Sequence, residues 1–149
     1  MGDRKLHRAL VTGVGAVTPI GVTADLFWEG LCSGKNGIGR VTNFDPADHI
    51  VQIAGEVVDF NPELYLERRV ARRTGRFAQF SAAAGMQAMQ DSAISIDESN
   101  RDDIGVVIAT SGDAMAMGPE WEKYLDKGSR GVDPFIITRM GQHMASARL

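Results

Sequence analysis

One cysteine, three histidines and a run of closely spaced arginines are the side chains of this 149-residue chain with the most chemistry to offer. Cys32 is the only thiol, and His7, His49 and His143 are the bases that folding could bring to it. It lies between Leu31 and Ser33, near the end of a predicted helix and far in sequence from any histidine. A reactive thiolate needs an electropositive, well-placed setting, so an inert small side chain at a helix end is expected. The histidines show no metal-ligand spacing, and no metal site is expected. The segment ERRVARRTGR, residues 67–76, says more. Arg69, Arg72, Arg73 and Arg76 recur three and four residues apart, so several can share one helix face. Glu63 and Glu67 offer few counter-charges. The choice is between a solvated face and a docking surface for an acidic or phosphorylated partner.

A second candidate is the stretch RALVTGVGAVTPIG, Arg8 to Gly21, where an apolar run enters a glycine-rich turn. A dinucleotide fingerprint needs G-x-G-x-x-G opening a helix, with an acidic residue about 20 positions on. Gly13 and Gly15 supply the first two glycines, but Thr18 stands where the third belongs and Pro19 interrupts the helix that should begin there. The glycines are therefore expected to bend the chain, with Thr18-Pro19-Ile20-Gly21 positioning the next helix. No cofactor is expected.

These residues must be held by an ordinary globular framework. Hydrophobic residues make up 44% and charged residues 23% of the chain, and the net charge is −3. The length fits one domain, residues 1–149, with a real core. The charge balance gives no general pull toward nucleic acid or anionic membrane, and no apolar run approaches a membrane span of about 20 residues. The charged N-terminus, MGDRKLHR, lacks a signal-peptide h-region, and a lone cysteine permits no internal disulfide; both fit a cytoplasmic protein.

Leu6 to Thr12 reads as a short buried strand. Thr23 can cap a helix through Asp25 to Leu31 that stops near Ser33 and Gly34. Residues 36–62 form a Gly-, Asp- and Pro-rich excursion containing a predicted strand over Ile50 to Val58. Asn61 and Pro62 offer a cap and an N1 proline for a short helix carrying Arg68, Arg69, Arg72 and Arg73. Arg76 to Ala93 is predicted as an interior helix, with Phe77, Phe80, Ala84 and Ala88 at helical spacing and Met86, Met89 and Ala93 widening the apolar face. Asp103 to Ala109, DIGVVIA, reads as a second buried strand. Pro119 to Asp126 reads as one or two amphipathic turns, and a final helix runs from about Ile136 to Leu149. Ending inside an apolar helix without a capping glycine predicts that the natural polypeptide continues.

Seven segments together resemble a known family. VTGVGAVTPIG, FWEGLCSGKNGI, FDPADH, IAGEVVDFNPELYLERR, RFAQFSAAAGMQAMQDSAI, IGVVIATSG and VDPFIITRM occur in the order seen in the N-terminal half of the β-ketoacyl-acyl carrier protein synthase II family. Nearly the whole chain is covered. The resemblance implies an α/β class with the thiolase-like layered fold, here its N-terminal half only, and a homodimeric complete protein. It also implies a decarboxylating Claisen condensation in fatty acid or polyketide biosynthesis. A cysteine takes an acyl chain from acyl carrier protein, malonyl-acyl carrier protein supplies the carbanion, and two histidines and an oxyanion hole assist.

On the same resemblance the nucleophilic cysteine and both histidines fall outside this sequence, Cys32 matches a non-catalytic position, and His143 lies in the helix before the catalytic strand. No catalytic residue is therefore expected within the chain, which should not condense substrate alone. What carries over is a basic rim: Arg69, Arg72, Arg73 and Arg130 match positions that dock the acidic carrier protein. The chain is thus expected to be the N-terminal portion of such a synthase, or alternatively a non-catalytic module that binds acyl carrier protein or a full-length synthase. In isolation it should expose apolar surface and self-associate. Two departures from the family pattern stand out. Thr110-Ser111-Gly112-Asp113-Ala114 replaces a longer glycine-rich turn, and Met140-Gly141-Gln142-His143-Met144 replaces an Asn-Met helix. Altered chain-length preference and a degenerate copy both fit them.

Overall fold

Helix α3, Arg76–Ser92, is the longest helix described in the computed structural model, which describes residues 8–113 and 116–149. Its buried positions are Ala78, Ala82 and Ala83, each 0% exposed. The predicted residues Phe77, Phe80, Ala84 and Ala88 flank them and are half-buried, and Met86 is exposed. Methyl-sized side chains let neighbours approach the helix backbone closely, as the alanine content suggested. Ala93 closes the helix in the left-handed region, with φ 53°.

The N-terminal segment uses that closeness. A Cβ on Gly13 would run into the Ala88 carbonyl, and one on Gly15 into the Ala84 carbonyl. The same crossing is stitched by hydrogen bonds. The Val14 amide donates to Asp91 Oδ2 at 2.9 Å and the Ala16 amide to Gln87 Oε1 at 3.1 Å. Gln87 Nε2 in turn donates to the Val22 carbonyl at 2.9 Å and to the Tyr65 hydroxyl at 3.0 Å. One side chain therefore satisfies the turn, the following helix entry and the 60s loop together. The Thr18–Gly21 turn is closed by a pair of backbone hydrogen bonds, 2.8 and 3.2 Å.

Helix α1, Ala24–Cys32, begins where its cap predicts: Thr23 Oγ1 accepts from the Leu26 amide at 3.2 Å. The excursion that follows contains an antiparallel ribbon of β1, Ile38–Arg40, and β2, Ile53–Gly55, with Gly39 opposite Ala54. The predicted Ile50–Val58 strand is thus only three residues long, since Ile50 and Val51 meet no partner. Asn61 caps a single 3-10 turn, Pro62–Leu64, through its side chain to the Glu63 amide. The helix expected from there to the arginines is broken. Helix α2 spans only Arg68–Ala71, and Arg72 and Arg73 follow it in a turn.

Two further expectations fail in the same way. Residues 8–12 and 104–110 run without ladder partners, and among the described residues β1–β2 is the only strand pair. Leu10 is 77% exposed, Val11 85% and Val107 98%. Their apolar, β-branched composition is that of buried strands, but a strand exists only when a second backbone answers its donors and acceptors. Leu6 and His7 lie outside the described residues. At the C-terminal end α4, Met117–Lys127, is longer than the expected turns. The predicted long final helix is instead α5, Ile136–Met140, interrupted at Gly141 and followed by 3-10 turns at 142–144 and 146–148. Gly141 has ψ 125°, outside the helical region, and releases the chain. Leu149 packs over Gly85 of α3.

Candidate functional site

The basic segment is anchored from behind. Thr74 is buried and its hydroxyl donates to the Val70 carbonyl at 2.8 Å. Gln79 Nε2 of α3 donates to the carbonyls of Ala71 and Thr74, at 2.9 and 3.0 Å, tying the end of the short helix and the turn after it to α3. With its inner side tied to α3, the segment turns Arg68, Arg69 and Arg72 outward.

The arginines then part company. Arg68 pairs with Glu63 at 3.5 Å. Arg76 donates to the Val57 carbonyl at 2.6 Å, its guanidinium lying 5.1 Å from the Phe60 ring centroid and 4.8 Å from that of Phe80. Arg73 is half-buried and lies over the ring of Phe135, 4.1 Å from its centroid. Arg69 and Arg72 are exposed, and among the described residues no carboxylate lies within ion-pair distance of either.

Arg130 is exposed too, in the 3-10 turn Gly128–Arg130 that ends α4. The loop from there to α5 is pinned by two acids. Glu120 is 5% exposed; its Oε1 pairs with Lys123 Nζ at 2.6 Å and its Oε2 accepts the Asp133 amide at 2.7 Å. Asp133 accepts the Phe135 amide at 2.9 Å and pairs with Arg139 at 3.2 Å. Both carboxyls are held below their ordinary values of 4.5 and 3.8, Glu120 first by the Asp133 amide and then by Lys123, and Asp133 first by the Phe135 amide and then by Arg139. A depressed folded-state pKa contributes stability that is present above the unfolded value and lost as pH falls through the folded one. Denaturant titrations should accordingly show stability declining below about pH 4.5, and Glu120→Gln should flatten that decline; an unchanged slope would rule out this pinning.

The other sequence candidates are not brought together. Cys32 is exposed at the end of α1 and shares no hydrogen bond with His49 or His143. His49 packs edge-on against Phe44, 5.2 Å between centroids, and His143 sits in the 142–144 turn. No group of three or more His, Cys, Asp or Glu able to hold a metal occurs among the described residues, and none of their helices is long and apolar enough to cross a membrane. His7 and Ala114 lie outside the described residues. Phe135, Thr138 and Glu120 were missed in the sequence: each acts on a residue more than a helical turn away, so local spacing carries no sign of it.

An apolar groove of about 660 Å³ runs between α3 and residues 104–108, lined by Met86, Met89, Ile104, Val106, Ile108 and Leu149 among others. It lies along the bare segment 104–108 and reaches Thr12 and Gly13.

Residues 7–149 match the family model described as the beta-ketoacyl synthase N-terminal domain. A 3-oxoacyl-[acyl-carrier-protein] synthase 2 of Synechocystis sp. is 42% identical over 147 residues, covering 98% of this chain and 35% of that protein. The namesake of Staphylococcus aureus is 34% identical over 143 residues, covering 95% of this chain and 34% of its own length. The chain thus spans about a third of these relatives. Among solved structures, the ishigamide ketosynthase/chain length factor superposes with TM-score 0.74 at 25% identity, over 93% of this chain and 36% of that one. A type II polyketide ketosynthase in complex with its acyl-carrier protein superposes with TM-score 0.73 over the same shares, at 18% identity, which shows the fold alone.

Proposed function

The chain belongs to the β-ketoacyl synthase family through that family's N-terminal domain, and from this premise we propose that it supplies the carrier-docking rim of a 3-oxoacyl-acyl carrier protein synthase. The complete enzyme in this reading is a cytoplasmic homodimer with the thiolase-like layered fold. It condenses acyl thioesters with malonyl-acyl carrier protein in fatty acid or polyketide synthesis. The bare segments 8–12 and 104–110 pair there with further strands of the synthase. The family resemblance assigns the nucleophilic cysteine and its two histidines to residues other than Cys32, His49 and His143.

One observation carries the docking role: Arg69 and Arg72 are exposed guanidiniums, unpaired among the described residues, on a segment bolted to α3 from behind. Exposed cations cost little to hold unpaired, and they attract an acidic helix before contact is made. Arg130, at the end of α4, adds a further exposed cation. A structural neighbour engages its own acyl-carrier protein, and a partner of that chemistry suits this rim.

The reading is tested by titrating acyl carrier protein into the full polypeptide at several salt concentrations. Screening shortens from about 30 Å at 0.01 M to about 8 Å at 0.15 M, so affinity should fall steadily across that range. Binding indifferent to salt would leave the arginines without a role. Carrier binding without condensation by the full polypeptide would instead identify a non-catalytic module.

A further inference from the structure

Arg69, Arg72, Arg73 and Arg130 carry the same charge, but Arg73 is spent differently. We infer that Arg73 is a positioning residue: by stacking on Phe135 it ties the loop that bears Arg130 to the segment that bears Arg69 and Arg72. The inference rests on the docking reading above and assigns the four arginines unequal parts in it.

Two links join the segments at this point. The Arg73 guanidinium lies 4.1 Å from the Phe135 ring centroid, and the Thr138 hydroxyl lies 3.4 Å from the Arg73 carbonyl and 2.8 Å from the Phe135 carbonyl. From Phe135 the constraint passes back along the loop. The Phe135 amide is held by Asp133, whose own amide is held by Glu120 of α4, while Asp133 also pairs with Arg139 of α5. Arg130 lies between α4 and Asp133 on that loop. A guanidinium committed to an aromatic face has less freedom to follow an incoming carboxylate than the exposed Arg69 and Arg72. The value of Arg73 then lies in keeping the two basic patches at a fixed separation. An acidic partner that meets both gains the second contact without paying again for its own positioning.

The experiment has one arm without the partner and one with it, both in the full polypeptide. In the free protein, Arg73→Gln should raise hydrogen exchange at the Asp133 and Phe135 amides about three- to tenfold, matching the loss of one partly exposed cation–π contact. Arg69→Gln should leave those amides unchanged. If Arg73→Gln does not move them, the inference is overturned whether or not the carrier binds. With acyl carrier protein, Arg73→Gln and Phe135→Leu should each weaken binding and be non-additive when combined, since both cut the same link. Arg69→Gln and Phe135→Leu should be additive. Additivity of the first pair would return Arg73 to the docking set and overturn its positioning role. Absence of carrier binding in the unmutated protein would overturn the docking reading, with the exchange arm still deciding the Arg73–Phe135 link.

Discussion

Reversing Arg69 and Arg72 together to glutamate is expected to weaken acyl carrier protein binding about 30- to 100-fold at low salt, with the difference shrinking as salt is raised. An exposed ion pair is worth only about 0.2–1 kcal/mol, so deleting one charge would be hard to read. Reversal replaces attraction by repulsion at each site, and two sites compound. Neither guanidinium has an ion-pair partner among the described residues, so the double variant should keep its fold and melting temperature. That separation makes the result interpretable: lost affinity with unchanged stability identifies docking, whereas unchanged affinity leaves a solvated face. Arg68→Glu is a useful contrast, because Arg68 already answers Glu63 at 3.5 Å and its reversal places two acids side by side within the chain.

Gly15→Ala should strongly destabilise the protein. The new Cβ meets the Ala84 carbonyl on one side and the Gln87 Cβ on the other. Overpacking a tight site costs about 1–3 kcal/mol when side chains can adjust. Here the obstacle is helix backbone, fixed by the fully buried Ala82 and Ala83 beside it, so the cost should lie at the upper end. Moving the segment away from α3 would also stretch the Ala16–Gln87 hydrogen bond. A drop in melting temperature of about 10 °C is expected for a chain of this size. Gly39→Ala, where a Cβ would meet nothing within 4 Å, should change it little. Equal effects at the two positions would show that the crossing over α3 is looser than described. A phosphate-gripping loop would respond differently, losing ligand without losing stability.

The same residues show how far local reading reaches. Thr23 and Ala24–Cys32, or the alanine-rich Arg76–Ser92, were legible because a helix answers its own backbone and needs only a cap and a periodic face. The basic patch was legible as composition, since charge excess over Glu63 and Glu67 can be counted along the chain. Which arginine does what was not. Arg76 on Phe60 and Arg73 on Phe135 depend on rings that arrive from 16 and 62 residues away. The extended segments 8–12 and 104–110 show the converse. Their composition is that of strands, but pairing is a property of two backbones.

The sequence by itself determined the family, through collinear segments along nearly the whole chain, and the helix at Ala24–Cys32 and the unbalanced arginine cluster, because these last two depend on residue order within a few turns. Only the tertiary structure decided that Gly13 and Gly15 serve a close crossing of α3, that Gln87 joins the connection before α1 to the 60s loop, and that Arg73 turns inward while Arg69 and Arg72 face solvent. Those outcomes depend on which surfaces meet, and contact between residues distant in the chain leaves no periodic trace in their order.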